Sequence, residues 1–250
     1  MVISPESTYL TIIIPVYNEE KSLKRVEQQM LEFINKTDKK IEVLFVNDGS
    51  SDQSQIFIEE ICQNSVPFNY IQLEKNGGLS TALKAGIDTI QTPFIGYIDA
   101  DLQTSPTDFL KLLEYCEENE MVTGIRIKRK DTKVKVLSSK IANKLRRWIT
   151  NDGITDTGCP LKILQNDTAK RIPFFKGMHR FLAALVILQE GKVKAIDVSH
   201  FERIEGEAKY HLWNRLVGPF VDLIAFSWIK RRYIRYKIKS SSINNKQETR

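Results

Sequence analysis

Residues 93–106 read "PFIGYIDADLQTSP". An apolar run closes on two aspartates, Asp99 and Asp101, one residue apart. The run predicts a buried strand over Phe94–Ile98 that delivers Asp99 at its end. Two like charges side by side cost free energy unless a cation, or water, takes up their charge. A D-x-D at a strand end is a hard-oxygen ligand set, suited to Mg²⁺ or Mn²⁺, and an amide oxygen at Gln103 could extend it. Taken alone the motif is weak evidence, since aspartates at strand ends often just cap the turn that follows.

Upstream, the chain alternates between two periods. "LTIIIPV" (residues 10–16) is short, β-branched and wholly apolar, as in a strand buried on both faces. Leu23, Val26, Met30 and Phe33 then share one helical side. "IEVLFV" (41–46) reads as a second strand, followed by a helix capped by Ser51 or Asp52. "YIQLE" (70–74) is a third strand, and 78–90 a third helix. Beyond the aspartates, Pro106 suits the first position of a helix whose apolar face is Phe109, Leu112, Leu113 and Cys116. "MVTGI" (121–125) is a fifth strand. This alternation predicts an α/β fold, a mostly parallel sheet with helices on both faces. Ligands of such sheets sit at the carboxyl ends of the strands. "YNEE", "NDGSSD" and "DADLQ" all fall there.

After residue 126 the pattern changes. "RIKRKDTKVK" has no apolar period and reads as a basic loop; 136–149 read as a helix, and 154–164 as a loop and strand. Residues 178–191 read as a helix closed by Gly191, and 192–200 as a strand. Residues 209–239 read as two helical pieces broken near Gly218–Pro219, with a disordered tail over 240–250. The expected organisation is therefore a catalytic domain over 1–208, basic amphipathic helices over 209–239, and the tail.

The 250 residues carry a net charge of +6, unevenly spread. Residues 1–208 have a net charge of −2, whereas 209–239 have +7. A basic segment outside the fold argues against nucleic acid as partner and for an anionic membrane surface. Within 216–229 the apolar stretch is too short to span and contains Asp222; "KRRYIRYKIK" follows, so the segment would lie in the interface. The alternative is a core helix with a solvated basic end. Neither a spanning helix nor a signal peptide is expected. Cys62, Cys116 and Cys159 form neither a disulfide frame nor a metal cluster, which suits a reducing cytosol.

"KNGGLSTALKAG" (75–86) suggests a phosphate cradle at a helix N-terminus. It matches neither G-x-G-x-x-G nor the P-loop spacing, which disfavours a dinucleotide oxidoreductase. Together, "PVYNEE", "VNDGSSDQS", "NGGLSTALKAG" and "DADLQTSP" resemble, in order and spacing, the family 2 glycosyltransferases of the Rossmann-like GT-A fold. "GIRIKRK", "GMHRFLAAL" and "HFERIEGEAKY" resemble the polyprenyl-phosphate branch, which includes dolichol-phosphate mannose synthase. The resemblance implies a nucleotide pocket lined by Pro15, Tyr17, Asn18, Glu19 and Asp48. It implies a metal on Asp99, Asp101 and Gln103, and Arg126 facing donor or acceptor phosphates. Lys135 and Ser139 would grip the acceptor phosphate, and Arg203 and Lys209 would close over the diphosphate. Asp101, Arg126 and Arg203 are the candidate catalytic residues. Asp48 could instead make an Asx-turn or cap, Glu19 could complement a helix dipole, and Arg126 and Lys135 could be solvated loop charges. Relatives often carry arginine where this chain has Lys162, which puts bidentate phosphate binding there in doubt.

The expected activity is inverting transfer of a hexose-type sugar from a GDP- or UDP-sugar to undecaprenyl or dolichyl phosphate. The enzyme would be peripheral on the cytosolic face of a membrane, the inner membrane if bacterial. A phosphate acceptor is already ionised, so basic residues need only align it; 126–147 hold ten Lys/Arg and one acid, Asp131. The rival enzyme adds sugar to a glycan hydroxyl and needs a carboxylate base, for which Asp152 and Asp156 are the candidates. A non-catalytic nucleotide-sugar-binding adaptor is a further rival. Membrane proximity would suit a homo-oligomer or a separate membrane-protein partner, between which no residue decides.

Overall fold

The structure, a computed structural model, describes residues 7–127, 146–202, 217–235 and 239. Seven strands form one sheet: β1 (Leu10–Val16), β2 (Ile41–Asn47), β3 (Phe68–Gln72), β4 (Phe94–Tyr97), β5 (Met121–Arg126), β6 (Lys162–Gln165) and β7 (Val193–Val198). Their order is β3-β2-β1-β4-β6-β5-β7. All pairings are parallel except those of β6, which runs antiparallel to β4 and β5. The helices are α1 (Leu23–Ile34), α2 (Ser54–Asn64), α3 (Leu79–Thr89), α4 (Phe109–Leu113), α5 (Asn166–Arg171), α6 (Leu182–Leu188) and α7 (Val217–Arg232). Residues 146–150 are also helical.

Side-chain alternation along β1 sorts the core into two layers. Leu10, Ile12, Ile14 and Val16 join the layer containing Leu23, Val26, Met30 and Phe33 of α1, Ile58 of α2 and Phe109 of α4. Ile13 faces the other layer, with Leu83 of α3, Ala169 of α5, Leu185 of α6 and Phe226 of α7. The expected α/β architecture, helices on both faces, is the one found. Pro15 fits inside β1 because its missing donor points towards β4, beyond Ile13↔Tyr97, the last pair of that ladder.

Three local expectations are corrected. Residues 178–191 are not one helix: a 3₁₀ turn over Met178–Phe181 precedes α6. The left-handed residue after α6 is Glu190 (φ 66°), not Gly191. Gly218–Pro219 do not break a helix but lie in the first turn of α7, where proline's missing N–H would have no intrahelical acceptor. The stretch 209–216 lies outside the described residues. Of the two proposed caps of α2, Asp52 is the one that accepts from the Ser54 N–H, at 3.0 Å.

Candidate active site

The loops after β1 and β2 lock together at the carboxyl edge of the sheet. Asn18, in the left-handed region (φ 51°), donates its N–H to Ser50 Oγ at 3.0 Å and accepts from the Ser51 N–H at 2.7 Å. Glu19 N–H donates to Ser54 Oγ at 2.9 Å, and Ser22 Oγ to Glu19 Oε2 at 3.1 Å. Tyr17 is partly exposed beside them. These side-chain bonds give the "YNEE" loop a fixed shape without regular structure.

The glycine stretch cradles a carboxylate of its own chain. Asp48, buried, accepts from Gly77 N–H and Gly78 N–H at 2.8 Å each, and from Asn76 Nδ2 at 3.0 Å. The end of β2 is thereby tied to the start of α3. Gly78 has φ +84° and Gly49 φ +68°; a Cβ on Gly49 would lie 2.6 Å from Asn76 N, so only glycine lets these loops approach.

Asp99 follows β4 directly, and the segment alternates. Ala100 and Leu102 are buried in the core while Asp99, Asp101 and Gln103 are partly exposed. Leu102 has φ 48°, turning the chain sharply between the two acids and Gln103. Asp99 accepts from the Tyr97 hydroxyl at 2.6 Å. Burial, and then the charge of Asp101, push its carboxyl up to about 6, against the Tyr97 bond and the cations of Lys162 and Arg126. Ionisation of Asp99 beside Asp101 is therefore opposed by its surroundings. Two carboxylates with a neighbouring amide form the incomplete hard-oxygen set that Mg²⁺ or Mn²⁺ accepts when phosphate and water complete it. Among the described residues no cluster of three or more His, Cys, Asp or Glu could hold a metal by itself. The donor set fits a cation shared with substrate rather than a closed structural site.

Arg126 ends β5 and is not a solvated loop charge. Its Nε and Nη2 grip Asp156 Oδ2 and Oδ1 at 2.7 and 2.8 Å, with both side chains largely buried. Burial works against its charge, but the bonds to Asp156 prevail and raise its pKa further. Asp152 is likewise taken: Arg146 Nη1 donates to it at 2.7 Å and the Ile154 N–H at 3.0 Å. Lys162 is buried opposite Tyr97 and donates to the Cys159 carbonyl. Burial lowers its pKa, partly countered by Cys159, Asp156 and Asp99. Its ammonium serves the loop that carries Asp156. Cys159 is fully buried and acts as a small filler.

The structure thus gathers Pro15, Tyr17, Asn18, Glu19, Asp48, Asp99, Asp101, Gln103 and Arg126 on one edge of the sheet. Lys135, Ser139, Arg203 and Lys209 lie outside the described residues. Sequence reasoning missed the Arg126–Asp156 pair, whose partners stand 30 positions apart with no local signal. It also missed Tyr97 as the partner of Asp99, although the i, i+2 spacing on a strand puts both on one face.

The glycosyl transferase family 2 domain matches residues 11–182. Dodecaprenyl-phosphate galacturonate synthase of Rhizobium johnstonii is 28% identical over 94% of this chain and 70% of its own length. Undecaprenyl-phosphate 4-deoxy-4-formamido-L-arabinose transferase of Edwardsiella ictaluri is 29% identical over 86% of this chain and 67% of its own. The fold matches glucosyl-3-phosphoglycerate synthase from Mycobacterium tuberculosis, solved with Mn²⁺, UDP and glucosyl-3-phosphoglycerate. The TM-score is 0.69 at 13% identity, over 92% of this chain and 82% of that one. The architecture is thus of the GT-A type, and the domain match, covering more than half the residues and including the acid pair at the end of β4, makes this chain a member of glycosyl transferase family 2.

Proposed function

We propose that the chain transfers a sugar from a GDP- or UDP-sugar to a polyprenyl phosphate, with inversion and without an obligatory carboxylate base. The observation that carries this reading is the pairing of acids around the site. Both candidate bases for a hydroxyl acceptor, Asp152 and Asp156, are held by arginines, whereas a phosphate acceptor needs no base. The names of the relatives, both polyprenyl-phosphate sugar enzymes, support the same class.

In this reading Pro15, Tyr17, Asn18, Glu19 and Asp48 frame the nucleoside, and Asp48 does so by holding the loop before α3 in place. Asp99, Asp101 and Gln103 would hold Mg²⁺ or Mn²⁺. Bound there, the cation would neutralise charge developing on the departing nucleoside diphosphate. Arg126 is pre-oriented by Asp156, and its Nη1 has no hydrogen-bond partner among the described residues, so it can turn a donor towards a phosphate oxygen. Lys135, Ser139, Arg203 and Lys209 are assigned to the two phosphate groups by the family pattern.

The catalytic domain would span residues 1–208, with 209–239 as the membrane-associating segment and 240–250 as a tail. Among the described residues no helix is long and apolar enough to cross a membrane. α7 packs Leu223 and Phe226 into the core but leaves Phe220, Val221, Ile224 and Trp228 more than half exposed, ahead of Lys230, Arg231 and Arg232. Apolar side chains beside a basic end suit peripheral attachment to an anionic membrane surface, on the cytosolic face and at the inner membrane if bacterial.

The deciding experiment is a panel of radiolabelled UDP- and GDP-sugars with Mn²⁺ or Mg²⁺ and a polyprenyl phosphate. Galacturonate and formamido-arabinose donors belong in it beside the hexoses. An acid-labile glycolipid is the expected product; label appearing only in an extended oligosaccharide would refute the reading.

A further inference from the structure

Arg25 has no place in the chemistry above, yet it reaches the metal turn from behind. It stands in the first turn of α1, partly buried, and its Nη2 donates to the main-chain carbonyl of Asp101 at 2.7 Å. Its Nε is buried and has no hydrogen-bond partner among the described residues. A guanidinium held this way has a desolvation cost that its single bond only partly offsets. Fold stability is therefore a poor explanation for it. What the bond does is local. It anchors the residue preceding Leu102, whose φ of 48° is unfavourable for a leucine and must be maintained by its surroundings. The other side of the turn is anchored too: the Gln103 carbonyl accepts from Phe201 N–H at 2.9 Å, and His200 Nδ1 lies 3.2 Å from the same oxygen. With the Asp99 carbonyl accepting from Leu102 N–H at 3.2 Å, the main-chain oxygens of 99, 101 and 103 are all engaged. The main chain of the turn is thus held at three carbonyls.

We propose that Arg25 is a positioning residue for the cation site: it fixes the Asp101 main chain so that the carboxylates of Asp99 and Asp101 stay aimed together, at a cost in stability. This rests on the metal reading of the acid pair. It predicts that cation affinity and fold stability respond in opposite senses. Arg25→Met keeps the aliphatic stem while removing both the unsatisfied Nε and the bond to Asp101.

The test measures Mn²⁺ binding by the paramagnetic resonance signal of free Mn²⁺, in the presence of UDP or GDP, together with thermal melting of the metal-free protein. Arg25→Met should weaken Mn²⁺ binding about tenfold, the usual lower bound for losing a group that orients a metal ligand. Its melting temperature should be unchanged or higher. Arg25→Lys, which can still donate to the carbonyl, should recover most of the affinity. Lys24→Ala, exposed on the same helix, should match wild type. Unchanged Mn²⁺ affinity in Arg25→Met, with or without a lower melting temperature, would overturn the positioning role and leave the metal reading standing. If Asp101→Asn binds Mn²⁺ as wild type does, the metal reading itself falls, and the role of Arg25 with it.

Discussion

The two ends of the strands are built differently. At the amino end, Tyr9, Phe94, Glu117 and Asn166 line an open groove of about 770 Å³. Part of its polar lining is paired within the chain, although Asn166 Oδ1 is buried without a hydrogen-bond partner among the described residues. The Tyr9 hydroxyl donates to Glu117 at 2.9 Å, and Asn166 Nδ2 to the Thr92 carbonyl at 2.6 Å. None of its lining residues has a positive φ. At the carboxyl end, Asn18, Gly49, Gly78 and Leu102 all do, and burial and the charge of Asp101 oppose the ionisation of Asp99. Strained backbone and a carboxyl whose ionisation is opposed mark where the fold has given up stability for chemistry.

The sharpest way to break this contrast is to alter one polar residue at each end. Asp101→Asn should reduce sugar transfer by about 10²–10³-fold, the cost of removing a charge-stabilising group from a preorganised site. Lys39→Ala, in the amino-end groove, should leave transfer within about twofold, as surface changes away from a site do. A comparable loss in both, measured with the radiolabelled donor, would erase the distinction.

An effect of similar size is expected from Asp156→Asn. It strips a buried guanidinium of its counter-charge, and breaking a buried pair from one side costs about 3–5 kcal/mol. Denaturant melts should show this, and transfer should fall with it because Arg126 loses its orientation. Stability close to that of wild type would mean that Arg126 is held by something else.

A smaller effect is expected where the chain would meet the membrane. A chain ending at residue 229 keeps Leu223 and Phe226 in the core but loses the basic end of α7. Each Lys or Arg near an anionic surface contributes about 1 kcal/mol. Sedimentation with anionic vesicles should therefore fall at least about tenfold, since 1.4 kcal/mol is a factor of ten, while the melting temperature changes little. Equal pelleting of the two chains would make α7 a core helix with a solvated end.

The smallest effect concerns His179, whose Nδ1 lies 2.9 Å from Ser80 Oγ near the start of α3. Burial, and then Arg180, push its pKa down to about 3. The unfolded chain takes up a proton near pH 6.5 and the folded chain does not. The folded state thus keeps its full stability above about pH 6.5 and loses it progressively as pH falls towards 3. His179→Gln should lose that part of the pH slope in urea melts between pH 7.5 and 4.5; an identical slope would show that the ring does not resist protonation.

Much of this was legible in the residue order. A buried strand must be apolar and a helix face must repeat every 3.6 residues, so β1, β2, β4 and the face of α1 could be read directly. The acid pair was visible because charge at the end of an apolar run is costly. Less could be read of α7, because it is apolar on two sides: Leu223 and Phe226 face the core while Ile224 and Trp228 face outward, which blurs any single stripe. The 3₁₀ turn before α6 and the left-handed Glu190 gave no local warning, since Leu182, Leu185 and Val186 pack equally well on a shorter helix.

The residues alone therefore determined the layered α/β sheet and the edge on which its polar loops gather, because burial and periodicity act locally along a chain. The tertiary structure decided who answers whom. Asp156 holds Arg126, the glycines of 77–78 hold Asp48, and Arg25 holds the turn at Asp101. Such pairings join segments tens of residues apart, and hydrogen bonds of under 3 Å depend on how the layers dock rather than on any spacing in the sequence.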